Sequence, residues 1–149
     1  MQISKHRKFL NEFLLHKWKF SKDSLVYDIG VNGTWDYGFT TIDRDPDKHP
    51  DILLDMEKGS PITKADGILF NGVFEQCGNP WVLMDKMTLC LKDKGILIAG
   101  LAGIGMPFYG ENDKWRVTKQ GAIDYMKYFN ILDFHEFPEY FYVVGSLRN

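Results

Sequence analysis

The chain has 149 residues, of which 44% are hydrophobic and 15% aromatic, and a formal net charge of −2. That length fits one domain, and the apolar content is ample for a core, which excludes a disordered or fibrous chain. So small a net charge gives no reason to expect an obligatory nucleic-acid partner and leaves a small or neutral molecule as the default.

Cys77 and Cys90 are the only cysteines and lie in unrelated contexts, so neither a disulfide framework nor a zinc site is implied and a reducing cytoplasm is expected. No run reaches the length of a membrane span, and the N-terminus lacks the apolar core and cleavage site of a signal peptide. The four histidines, His6, His16, His49 and His135, share no ligand spacing, so no metal is expected.

Ser4 to Phe20 carries Phe9, Leu10, Phe13, Leu14 and Trp18 at helical spacing, with Lys5, Arg7, Lys8, Lys17 and Lys19 largely on other faces. This predicts an amphipathic helix that docks its stripe on a sheet or covers a ligand site. Leu25 to Ile29 is a short apolar run that contains Asp28 and ends at Gly30, the pattern of a buried strand emptying into a glycine turn. Phe39 to Ile42 repeats it and ends at Asp43. An acid at the carboxyl end of a second parallel strand is how open α/β sheets hold ribose hydroxyls, and glycines after the first strand let a ligand approach the backbone.

Only Val31 to Gly38 separates the two runs, fewer than the roughly ten to twelve residues a helical crossover requires. The helix is therefore missing or cut to a turn. Asn32-Gly33 also permits a second reading, an antiparallel hairpin from Leu25 to Ile42.

Arg44 to Asp51 is a polar, proline-punctuated loop, and Asp51 to Asp55 is a short third strand. Ile68 to Phe70 is the fourth, left through Asn71-Gly72-Val73. Asn79-Pro80 starts a helix that runs through Trp81, Met84, Met87 and Leu91 to about Lys92. Lys94-Gly95 stops it, and Ile96 to Ala99 is the fifth strand. The glycine-rich Leu101 to Trp115 lacks the Lys-Ser/Thr ending of a phosphate loop and is read as a substrate-side loop. Thr118 caps a helix through Ile123, Met126 and Phe129, and two closely connected strands around Pro138 end the chain as antiparallel neighbours, with His135 a structural member of the first. The pattern is α/β, with a mainly parallel sheet and an antiparallel ending.

The segments DIGVNG, DILLDMEKG, DGILFNGVFEQCGNPW, LCLKDKGILIAG and DKWRVTKQGAIDYM, in this order, resemble the class I S-adenosylmethionine-dependent methyltransferases over roughly Leu25 to Phe137. In DIGVNG only Asp28, Gly30 and, loosely, Gly33 match the family's glycine motif, and the family's helix after that loop has no counterpart here. The resemblance implies a three-layer Rossmann-like fold and S-adenosyl-L-methionine as cofactor. It would place Asp28, Gly30, Asn32 and Gly33 on the methionine side, Asp43 on the ribose with Arg44 beside it, Asp55 and Met56 on the adenine, and Asn71 and Gly72 beneath the cofactor. Glu75, Tyr109, Trp115 and Arg116 would face a small-molecule or glycan-type acceptor. Arg116 has two readings, a bidentate clamp on an anionic substrate or an ion pair with a loop carboxylate. Gln76 replaces the family's histidine, so no catalytic base can be named.

Two rivals stand beside the enzyme: a catalytically silent methyltransferase-like binding protein, and a nucleotide-binding module of another kind. The apolar sheet surface left by the lost helix calls for a cover, either Phe9, Phe13 and Trp18 of the N-terminal helix or a second subunit, a homodimer using Trp35 and Tyr37.

Overall fold

Seven strands form one sheet in the order β3-β2-β1-β4-β5-β7-β6 in a computed structural model that describes residues 5–149. The strands are β1 (Val26–Ile29), β2 (Thr40–Asp43), β3 (Ile52–Leu53), β4 (Ala65–Asn71), β5 (Leu91–Ala102), β6 (Phe129–Glu136) and β7 (Tyr140–Leu147). The first five pair in parallel, and β7 runs antiparallel to both β5 and β6. Tyr27 lies opposite Thr40, so Leu25 to Ile42 is a parallel pair and not a hairpin. The connection between them contains only a single 3-10 turn, Trp35–Tyr37.

Because strand side chains alternate between faces, β4 sends Ile68 and Phe70 to one side and Leu69 to the other. On the first side the helices Pro80–Leu89 and Lys119–Tyr125 supply Leu83, Met84, Met87, Ala122 and Tyr125 to the core. Asn79 caps the first helix by accepting from the amides of Trp81 and Val82, and Thr118 caps the second by accepting from that of Gly121. That second helix ends earlier than its spacing suggests, since Phe129 already belongs to β6. The first ends at Leu89, because β5 begins at Leu91 and absorbs Lys92 to Gly95 as an irregularity, with Lys94 at φ 62°.

The opposite side is covered by one helix from the N-terminus, Lys5–Phe9, continuing through a π-helical turn, Leu10–Leu14, into Leu15–Lys17. Ser4, where the sequence places the start, lies outside the described residues. The π turn changes which side chains face inward: the amide of Leu15 donates to the carbonyl of Leu10, five residues back, and Leu10, Leu14 and Leu15 are buried while Phe13 is 47% exposed. These leucines pack on Leu69, Ile98, Tyr142 and Val144, with Phe20 and Phe39 alongside. The far end of the helix is tied to β6 by Asp133, which accepts from Lys17 Nζ at 2.8 Å and Trp18 Nε1 at 3.0 Å. Burial would raise the Asp133 carboxyl, but these bonds and His135 outweigh it and hold it below the usual carboxylate range.

Candidate functional site

The carboxyl ends of β1, β2 and β4 open into a cleft of about 480 Å³. Ten residues carry the expected cofactor contacts, and eight of them line this cleft: Gly30, Asn32, Asp43, Arg44, Asp55, Met56, Asn71 and Gly72. Gly30 sits at φ 95°, and a Cβ there would meet Val73 Cγ2 at 2.6 Å, so the turn after β1 needs glycine for both conformation and space.

Asp28 and Gly33 are not on the wall. Asp28 is fully buried and accepts from the amide of Asn32 at 2.8 Å, Asn32 Nδ2 at 2.7 Å and Thr34 Oγ1 at 2.6 Å. It braces the loop that in a longer chain a helix would steady. Gly33, at φ 72°, turns the chain back toward Trp35. The brace continues through buried amides: Asn71 Nδ2 donates to Asn32 Oδ1 at 3.3 Å, and the Tyr140 hydroxyl donates to Asn71 Oδ1 at 2.7 Å. Gly100 is part of this arrangement, since a Cβ there would collide with Asn71 Oδ1.

On the other wall Asp43 is half-buried, its Oδ1 accepting from the amide of Asp45 at 2.9 Å. Asp55 Oδ1 accepts from the amide of Glu57 at 3.0 Å, and Glu57 in turn accepts from the amides of Gly78 and Asn79, which joins the 54–57 loop to the turn before the Pro80 helix. Cys77 also lines the cleft, but burial pushes its thiol up to about 12, so it is not a nucleophile at neutral pH.

The expected acceptor residues do not converge in this cleft. Glu75 is buried, with Oε1 2.6 Å from the amide of Ala102, and its carbonyl accepts from the amides of Lys114 and Trp115. Burial lifts its carboxyl to about 6, against hydrogen bonds from its own backbone and Ala102 that lower it. Arg116 spends all five donors inside the protein, on Met106, Pro107 and Trp115 carbonyls and bidentately on Asp113. The ion-pair reading of Arg116 is therefore the one realised. Its guanidinium also stacks on Phe108 at 4.3 Å, so Arg116 staples the loop before it. Tyr109 is 76% exposed on that loop, and Trp115 donates its indole N–H to the Cys77 carbonyl while lining a smaller apolar cleft.

Sequence reasoning missed Arg7, which enters the cleft from the N-terminal helix, and Asn112, which enters from the loop after β5. Neither carries a local signal, because each reaches the site only through tertiary packing. Among the described residues no group of three His, Cys, Asp or Glu side chains is placed to hold a metal, and no helix is long and apolar enough to cross a membrane.

No family model and no curated protein matches the sequence. Solved structures do match. The chain superposes on the N-methyltransferase NodS from Bradyrhizobium japonicum WM9, in complex with S-adenosyl-L-homocysteine, with a TM-score of 0.73 at 13% identity, covering 97% of this chain and 87% of that one. A putative type 11 methyltransferase from Sulfolobus solfataricus gives 0.69 at 18%, covering 94% and 92%. The fold is that of the class I methyltransferases. A third match of the same kind, 1,6-didemethyltoxoflavin-N1-methyltransferase from Burkholderia thailandensis with S-adenosylhomocysteine bound, gives 0.72 at 10%, covering 97% and 79%. The methyltransferase fold is thus retained although this chain replaces the helix between β1 and β2 with a single turn.

Proposed function

We propose that the protein is an S-adenosyl-L-methionine-dependent methyltransferase acting on a small molecule. The observation that carries this is the convergence of Asp43, at the end of β2, with Gly30, Asn32, Asn71 and Gly72 around one cleft at the carboxyl edge of the parallel strands, where such sheets place nucleoside ligands. Asp43 would accept from the ribose hydroxyls, Asp55 and Met56 would flank the adenine, and the backbone at Gly30 and Gly72 would allow close approach to the rest of the cofactor.

The cofactor's sulfonium supplies an activated methyl group, so the protein's task is alignment and exclusion of water. Gly30, Asn32, Asn71 and Gly72 would orient the donor from beneath. On the acceptor side Glu75 and Arg116 act through the loops they hold, while Ile104, Phe108 and Tyr109 offer exposed apolar surface beyond β5. This favours an acceptor with an apolar face over an anionic one.

The absence of a histidine at position 76 and the internal engagement of Glu75 and Arg116 support a second reading, a silent protein that binds the cofactor without transferring its methyl. Calorimetric titration with S-adenosylmethionine and S-adenosylhomocysteine, with ATP and NAD as controls, tests both at their common root. Binding of the first two alone supports the cofactor, and methyl release on turnover then separates enzyme from silent binder. Binding of ATP or NAD in their place would make the chain a nucleotide module of another kind.

A further inference from the structure

On the reading of the cleft as a cofactor site, we propose that Tyr140 of β7 is a positioning residue, which sets the Asn71 side chain in the cleft by reaching across Gly100 of β5. Tyr140 does not itself line the cleft, whereas Asn71 does. It would therefore act on the ligand only through Asn71.

The sheet register makes this reach possible. Strand side chains alternate, so Asn71 projects on the same face as Leu69, the face that Tyr140 and Tyr142 share. Asn71 lies opposite Gly100 of β5, and Gly100 lies opposite Tyr142 of β7. A Cβ at position 100 would collide with Asn71 Oδ1 and come within 2.8 Å of Tyr142 Cε1. Glycine keeps that row open, and through it the Tyr140 hydroxyl donates to Asn71 Oδ1 at 2.7 Å. The phenol ring is fixed on both sides, stacked on His6 with centroids 4.9 Å apart and tilted against Tyr142 at 5.2 Å.

The chemistry of the donors gives the chain of amides one direction. A carboxylate can only accept, so Asp28 turns Asn32 Nδ2 toward itself and leaves Asn32 Oδ1 facing Asn71. Asn71 must then offer Nδ2 to Asn32, which turns its Oδ1 to Tyr140. Tyr140 is the last member of this chain and has to donate. Burial raises its phenol well above the ordinary range, so the proton stays in place. Without the hydroxyl, Asn32 would still be held by Asp28, but Asn71 would lose the donor that holds its other end.

The test measures S-adenosylhomocysteine affinity by calorimetry on the full chain, in Tyr140→Phe, Asn71→Ala and the double variant. Tyr125→Phe is the comparison, because it removes another buried hydroxyl, donated to the Pro80 carbonyl at 2.7 Å on the opposite face. Both phenylalanine variants should melt lower, but only Tyr140→Phe should weaken binding, by about three- to tenfold. In the Asn71→Ala background, Tyr140→Phe should cost no more than about twofold further. A Tyr140→Phe chain that melts lower yet binds like the wild type, an equal loss of affinity in Tyr125→Phe, or losses that multiply in the double variant would each overturn the assignment and leave the cofactor reading intact. If Tyr140→Phe does not fold, hydrogen exchange in the wild type decides: slowed exchange of the Asn71 side-chain amide protons supports the assignment, and exchange as fast as in a free asparagine overturns it. A wild type that does not bind S-adenosylhomocysteine would overturn the cofactor reading and the assignment together.

Discussion

The two faces of the sheet are covered in different ways. One carries two capped helices, each close in sequence to a strand it packs on, while the other depends on a single helix that reaches across from the N-terminus. On the first face the Pro80–Leu89 helix brings only the apolar Leu83 to the cleft. On the second, the helix that closes the core also carries Arg7 into the cleft, so packing and ligand binding are coupled there.

The largest effect should come from removing that helix. Deleting residues 1–20 would uncover Leu69, Ile98, Tyr142 and Val144 together, a loss on the order of 5 kcal/mol or more, seen as loss of cooperative melting. A sharper comparison sets one residue of each face side by side. Leu14→Ala and Met84→Ala both truncate fully buried side chains and should each cost about 2 to 5 kcal/mol in denaturant titrations. Only Leu14→Ala should also weaken S-adenosylhomocysteine; equal effects on binding would dissolve the distinction between the faces.

Within the cleft, Asp43→Ala should lower cofactor affinity by roughly tenfold or more, as expected for a hydrogen bond to a charged group worth about 1.5 to 3 kcal/mol. Unchanged affinity by calorimetry would detach Asp43 from the ribose. Glu75 gives a smaller, pH-dependent effect. Its folded carboxyl titrates near 6 against an ordinary 4.5, so the folded state binds more protons between those values and stability falls as pH rises through that window. Glu75→Gln removes this penalty: it should raise stability at pH 7 by roughly 2 kcal/mol at most and do nothing below about pH 4, read from melting temperatures at the two pH values. The smallest effect is expected at Trp35, which is 71% exposed: Trp35→Asp should leave stability within about 0.5 kcal/mol. Sedimentation of the same variant tests the homodimer, which requires the mass to fall.

The contrast between the faces also marks what could be read from residues alone. The strands ending at Asp43 and Asn71 are legible because a short apolar run followed by a polar residue is a local pattern, whereas the full set of eight cleft residues follows only from the family resemblance. Helical spacing points Phe13 inward because it assumes one period throughout, whereas the π turn brings Leu15 inward and leaves Phe13 exposed. The resemblance implies Asp28 on the methionine side, but position in a motif says nothing of where its oxygens point, and they point into its own loop. The sequence leaves Arg116 two readings because the carbonyls of Met106 and Pro107 that occupy it follow from the path of a loop that no periodicity describes. The contact between Tyr140 and Asn71 joins residues 69 apart in sequence and leaves no trace in either segment.

The hydrogen bond from Tyr142 to the His6 carbonyl spans 136 positions and has a consequence for how the chain is made. During synthesis the helix that begins at Lys5 emerges before two of its docking partners, Tyr142 and Val144 of β7. Until then Leu10, Leu14 and Leu15 lack part of the surface that buries them, and long-range closure of this kind slows folding and leaves apolar side chains open to aggregation. Ligand could help here only after the last strand is in place, because the helix that brings Arg7 to the cleft is not fully seated before it. The same contact that completes the core therefore sets the moment at which the nascent chain first becomes competent to bind.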